Sequence, residues 1–134
     1  MIVEPVAVAD EPAFILDGNS LLIELIPAVA SWASQKRLIE CLHFFGSRVR
    51  GEEKPTSDLD VAVQLIYSDH DAALANWFFE CDAWALELSA ILPWKVDLQL
   101  LAPGCTPTIS AAIKRSSLVV YQRLHNSSDN LLVP

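Results

Sequence analysis

Residues 45–63, FGSRVRGEEKPTSDLDVAV, constrain this chain more than any other segment. Leu59, Val61, Val63 and Leu65 fall on one parity, while Asp58, Asp60, Ala62 and Gln64 fall on the other. That alternation is the mark of a β-strand. Side chains two apart in a strand project from the same face, so Asp58 and Asp60 stand side by side. Two ionised carboxylates about 4 Å apart repel by roughly 4 kcal/mol at an effective dielectric near 20. Such a pair either shares a proton or holds a cation. Hard oxygen ligands of this kind suit Mg²⁺ accompanied by substrate phosphates.

The neighbouring segments supply the remaining parts of a site. Leu38–Phe45 reads as a strand that runs into a Gly46-Ser47 turn, and residues 48–57 form a charged loop containing Gly51 and Pro55. Trp94–Leu101 reads as a further strand, with Val96, Leu98 and Leu100 on one face and Lys95, Asp97 and Gln99 on the other. If this strand lies beside the Asp58–Leu65 strand, Asp97 completes a cluster of three carboxylates. A cluster of that kind can bind two Mg²⁺ ions, one escorting a triphosphate and one near an attacking hydroxyl. Gly46 would let the backbone come close to the phosphates. Backbone N–H groups at the start of the next turn would cradle them.

Around these strands the pattern predicts helices. Ser20 can cap a helix reaching about Lys36, with Pro27 as a kink or a late first-turn residue. A longer helix, capped by Asp69 or Asp71, runs to about Leu92 and stops at Pro93. It carries one apolar stripe through Leu74, Phe78, Cys81, Ala85, Leu88 and Leu92, and a second through Trp77, Trp84 and Ile91. One stripe fills the core of a single layer, so the pair implies either deep burial or a partner surface. Thr108–Arg115 is expected as a short helix and Leu118–Tyr121 as a short strand. The expected organisation is an N-terminal arm over 1–19, one domain over 20–123 and a loose tail over 124–134.

Composition narrows the partners. A chain of 134 residues with 52% hydrophobic and 19% charged residues is too apolar to be disordered. Nine basic and seventeen acidic residues give a net charge of −8, which argues against nucleic-acid binding through a basic face. A basic protein partner or a metal–nucleotide complex is easier to reconcile with that charge. Cys41, Cys81 and Cys105 show no CxxC spacing. No secretory signal or apolar run of about 18 residues is evident, so the cytoplasm is the expected compartment and no membrane partner is expected. Cys41-x-His43 lacks two further zinc ligands and reads as core packing. Asp69-His70-Asp71, the second Asp-x-Asp, reads as a helix cap. The four glycines, at 18, 46, 51 and 104, fit neither a Walker A loop nor a GxGxxG turn.

Taken together, Phe45-Gly46-Ser47-Arg48-Val49-Arg50-Gly51, Ser57-Asp58-Leu59-Asp60-Val61-Ala62-Val63 and Val96-Asp97-Leu98 resemble a minimal nucleotidyltransferase of the DNA polymerase β-like superfamily. The resemblance spans about residues 20–123, and within the superfamily it is nearest to the MntA-like antitoxins. It implies an α+β nucleotidyltransferase fold, a mixed twisted sheet with helices packed on one face. It also implies transfer of a nucleoside monophosphate from an NTP with release of pyrophosphate. Carried over, Gly46 and Ser47 would bind the β- and γ-phosphates. Beside them Arg48, the stronger candidate for a nucleotide contact, and Arg50 could contact the triphosphate or a partner. Asp58 and Asp60 would ligate both metal ions, and Asp97 would hold the catalytic one and help deprotonate the acceptor. In the antitoxin group the donor is ATP, and the acceptor is a tyrosine of a helical HEPN-type toxin, HepT. Two other functions fit the same residues. One is a non-catalytic module that masks the toxin through the Trp77/Trp84 stripe. The other is an aminoglycoside-type enzyme, although the short segment after Asp97 leaves no second domain to hold a drug. A homo-oligomer is compatible with any of these.

Overall fold

The computed structural model describes residues 17–124 apart from residue 68, with side chains from residue 20 onward. Of the arm expected over 1–19 and the tail expected over 124–134, residues 1–16 and 125–134 lie outside the described residues. In chain order the elements are α1 (Asp17–Ser34), β1 (Ile39–Phe45), α2 (Ser47–Arg50), β2 (Leu59–Leu65), α3 (His70–Ile91), β3 (Val96–Leu100), α4 (Pro107–Arg115) and β4 (Ser117–Gln122). The first helix begins earlier than a Ser20 cap would place it, and it carries Pro27 inside.

The four strands form one mixed sheet in the order β3-β2-β1-β4. β1 pairs antiparallel with both β2 and β4, and β2 pairs parallel with β3. A parallel pair needs a long crossover, and the 22-residue α3 supplies it between β2 and β3. Asp69 caps that helix by accepting from the Ala72 N–H at 3.1 Å, so the second Asp-x-Asp is a cap as expected.

Strand alternation sends Leu42 and Phe44 of β1 and Leu59, Val61 and Val63 of β2 into one core, where each is fully buried. A bulge between Ile39 and Cys41 lets Ile39 join them, because the extra residue resets the two-residue period. α1 closes this face with Leu22, Val29 and Ala33, spaced seven and four apart on one helical stripe. Burying each large aliphatic side chain there contributes about 1.5–3 kcal/mol.

The stripe on α3 that enters this core differs from the expected one. Trp84 and Leu88 are buried, and Trp77 and Ile91 pack against the same cluster. Phe78, expected in the core stripe, is 71% exposed. Trp84 is held edge-on against Trp32 of α1, with ring centroids 6.3 Å apart. A surface role for Trp84 is therefore withdrawn, and so is masking of a toxin through a Trp77/Trp84 stripe.

The opposite face of the sheet carries a second, smaller cluster of Phe45, Ala62 and Leu101, against which α4 packs Ile109, Ala112 and Ile113. Cys41 is buried on β1, with its Sγ 3.8 Å from the ring nitrogens of the half-buried His43. Burial pushes the Cys41 thiol up and the His43 imidazole down, as expected for packing residues.

Candidate active site

β2 and β3 run in register with Asp60 directly opposite Asp97. Directly opposed residues point to the same side of the sheet. That side is the one opposite α1 and α3, since Val61 and Val63 on the other parity are in the main core. The Asp60 and Asp97 carboxyls lie within hydrogen-bonding reach of each other. Asp60 is pushed up to about 6 from its ordinary 3.8, first by burial, then by the Asp97 charge and hydrogen bond, then by Asp58. Arg50 acts in the opposite direction. Asp97 and, more weakly, Asp58 thus both act on the Asp60 carboxyl.

The glycine turn sits at the same place. Phe45, the last residue of β1, pairs with Asp60. Gly46 follows at φ 84° and ψ −160°, a backbone conformation essentially reserved for glycine. A Cβ built there would overlap the Asp60 carboxylate. The chain thus passes directly over Asp60 and turns into the single helical turn Ser47–Arg50, which Gly51 ends at φ 75°. Ser47 stands at the start of that turn.

Arg48 is placed differently from its neighbours. Only 7% exposed, it donates from Nε to the Ser57 carbonyl at 3.0 Å and from Nη2 to the Lys54 and Pro55 carbonyls at 3.4 Å each. Its guanidinium also stacks 4.6 Å from the Trp94 ring centroid. It clamps the loop that leads into Asp58.

One neighbour, Gln99, was not singled out from the sequence. Gln99 donates from Nε2 to Asp97 Oδ1 at 2.9 Å and so fixes the carboxylate's orientation. Its signal was available, because Asp97-x-Gln99 places both on one strand face. Arg50 is a cation felt by Asp60, and it also pairs with Glu52 at 2.8 Å.

The donor set consists of carboxylate oxygens with unmet negative charge beside a backbone cradle, which fits a hard dication such as Mg²⁺. Among the described residues no group of three or more His, Cys, Asp or Glu side chains is placed to hold a metal ion, so Asp58, Asp60 and Asp97 do not form the ready three-carboxylate site expected from the sequence. Mg²⁺ commonly takes one or two carboxylates and fills the rest of its shell with water and phosphate oxygens. The carboxylates also lie outside the 230 Å³ cavity lined by Gln64, Tyr67, His70, Leu101 and Cys105, among others. No helix among the described residues is long and apolar enough to cross a membrane.

The family model described as polymerase beta nucleotidyltransferase matches residues 28–126. No curated protein matches the chain. Among solved structures, a toxin–antitoxin complex with AMP-PNP is 22% identical, covering 87% of this chain and 80% of that one with a TM-score of 0.49. A mutant of a toxin–antitoxin pair named MntA-HpeT is 21% identical, with 87% and 80% coverage and a TM-score of 0.48. A tri-AMPylated Shewanella oneidensis HEPN toxin in complex with MNT antitoxin matches at 19% identity, 85% and 76% coverage and a TM-score of 0.41. All three are distant, partial likenesses.

Proposed function

This chain belongs to the polymerase β nucleotidyltransferase family, and from that premise we propose that it moves AMP from Mg·ATP to a hydroxyl of a partner protein, a tyrosine of a HEPN-type toxin, and so acts as an antitoxin. The observation that carries the transfer chemistry is the Asp60–Asp97 register beside Gly46. In this reading Asp58, Asp60 and Asp97 would hold Mg²⁺, which would supply charge neutralisation on the phosphates and a lowered pKa of the acceptor hydroxyl. Gly46 and Ser47 place the β- and γ-phosphates over the carboxylates. Arg48 serves this contact by fixing the 51–58 loop.

The acceptor oxygen attacks the α-phosphorus and forms the new P–O bond. The bond to the bridging α–β oxygen breaks, and that electron pair leaves with pyrophosphate. Asp97, oriented by Gln99, receives the hydroxyl proton. A protein acceptor is favoured over a drug-sized one because the carboxylates stand on a sheet face outside the cavity given above. A protein can bring its own walls to such a site.

The test is incubation of the chain with Mg²⁺, ATP labelled on the α-phosphate and a HEPN-type toxin. Label is expected on a toxin tyrosine with the native chain, and none with a folded Asp58→Ala variant. Undiminished transfer by that variant would defeat the assignment. A stable complex without label would favour masking, and pyrophosphate release that depends on an aminoglycoside would favour the small-molecule enzyme.

A further inference from the structure

α3 is long enough, at 22 residues or about 33 Å, to present a complete second face. Its inner stripe is satisfied by the core. Its outer stripe is apolar too. Phe79 is 83% exposed and Leu86 74%, with exposed Ala75, Ala83 and Ala90 between and beyond them and Phe78 on the flank. Positions 75, 79, 83, 86 and 90 repeat at fours and threes, the spacing with which one helix seats against another. Small alanines between Phe79 and Leu86 leave holes that a facing helix can fill.

The polar rim of that stripe is mainly acidic. Asp71 and Asp82 lie along one side and Glu80 along the other, Glu87 is paired to Lys36 at 2.7 Å, and α3 itself contains no lysine or arginine. This charge selects the occupant. A second copy would bring another acidic rim and another net charge of −8. Residues 1–16 are apolar enough to cover the stripe, but they carry Glu4, Asp10 and Glu11 and no basic residue. Like charges along a helix pair oppose association, and opposite charges set partner choice.

We infer that the outer face of α3 docks an apolar helix of another protein whose flanks are lysine and arginine. This names the surface by which the acceptor protein would be held; that the docked protein is also the AMP acceptor rests on the reading given above.

The probe is a 20-residue helical peptide with leucines at the a and d positions and lysine or arginine beside them. Its control keeps the leucines and carries glutamate instead. Titration is followed by amide NMR shifts of the full chain. The basic peptide is expected to bind, to shift the amides of residues 75–90 and to weaken as salt rises. Phe79→Asp with Leu86→Asp should raise its Kd at least tenfold, and Phe79→Ala should raise it less. Both variants should keep the native melting temperature, because neither residue is in the core. Equal binding of the glutamate peptide, or unchanged binding by the double variant, overturns the proposal. So does a native dimer in sedimentation that the double variant converts to monomer, since the occupant would then be a second copy. ATP binding separates the two readings. The double variant should bind Mg·ATP normally, whereas loss of the active-site reading leaves the peptide titration unaffected.

Discussion

Replacing Asp60 by asparagine should stabilise the metal-free protein at neutral pH. In the fold the Asp60 carboxyl is held at about 6 instead of 3.8, because it is partly buried and faces Asp97 and Asp58. A raised carboxyl pKa means that the native state binds this proton more tightly than the unfolded chain. Stability linked to Asp60 is therefore greatest below about pH 4, falls as the pH rises to about 6, and stays reduced above that. The full shift corresponds to about 3 kcal/mol, but the half-buried carboxyl is screened by solvent, which leaves about 1–1.5 kcal/mol. Asparagine keeps the shape and removes the charge, and it can donate a hydrogen bond to Asp97. At pH 7.5 in EDTA, Asp60→Asn should melt about 4 °C above the native chain. At pH 4.5 most of that difference should vanish. The comparison between the two proteins cancels the trend of Glu52 and Glu87, whose pKa values are lowered by Arg50 and by Lys36 and Trp32. Ten millimolar Mg²⁺ should raise the native melting temperature at pH 7.5 and leave the variant almost unmoved. Thermal melts followed by far-UV circular dichroism measure all of this. A variant no more stable than the native chain at pH 7.5 refutes the account of the carboxylate cluster.

Two other substitutions test the parts around it. Gly46→Ala combines a backbone conformation closed to alanine with overlap on the Asp60 carboxylate. It should cost about 2 kcal/mol or more and remove ATP binding; an unchanged urea midpoint would contradict the close passage of the turn over Asp60. Arg48→Lys keeps the charge but loses the planar fork that holds three carbonyls and the stack on Trp94. It should lower stability by about 2 kcal/mol and speed cleavage by Glu-specific protease after Glu52 or Glu53. Equal cleavage rates would mean that the loop is held by something else.

What could be read in advance follows from the range of the interactions. The strands and the Gly46 turn are local patterns, and they sit close to where period and backbone demand put them, although Asp58 falls just ahead of β2, which begins at Leu59. Asp97 was one step harder, because its value depends on β2 and β3 being neighbours, which no local pattern states. α3 defeated the reading of its faces for a different reason. With Phe78, Phe79, Trp77, Trp84, Leu86 and Leu88 all present, the helix is apolar nearly all round, and periodicity cannot say which stripe faces inward. Packing against Trp32 and the sheet decides it. Arg48 was placed by type as a charged loop residue near the nucleotide. Its burial depends on carbonyls six to nine residues away and on Trp94, none of which a motif records.

If the proposed function holds, the carboxylate cluster also makes nucleotide binding conditional on a metal ion. A bare triphosphate approaching Asp58, Asp60 and Asp97 meets like charge at each step, on a chain that already carries −8. Each close pair of charges costs on the order of 4 kcal/mol at an effective dielectric near 20. Gly46 brings the backbone near enough to Asp60 that phosphates held by the turn cannot avoid the carboxylates. The same positions become favourable once divalent charge sits between the two sets of oxygens, because every repulsion is then replaced by an attraction to the shared ion. On the proposed function, the strain that destabilises the metal-free fold would thus be the quantity that discriminates Mg·ATP from free ATP. Neutralising Asp60 should relax both together. The variant expected to melt higher should also lose the magnesium dependence of whatever residual ATP affinity it keeps, and calorimetric titrations with and without the ion measure that directly. Stability gained while the magnesium dependence stayed at its native size would separate the two effects and disprove their common origin.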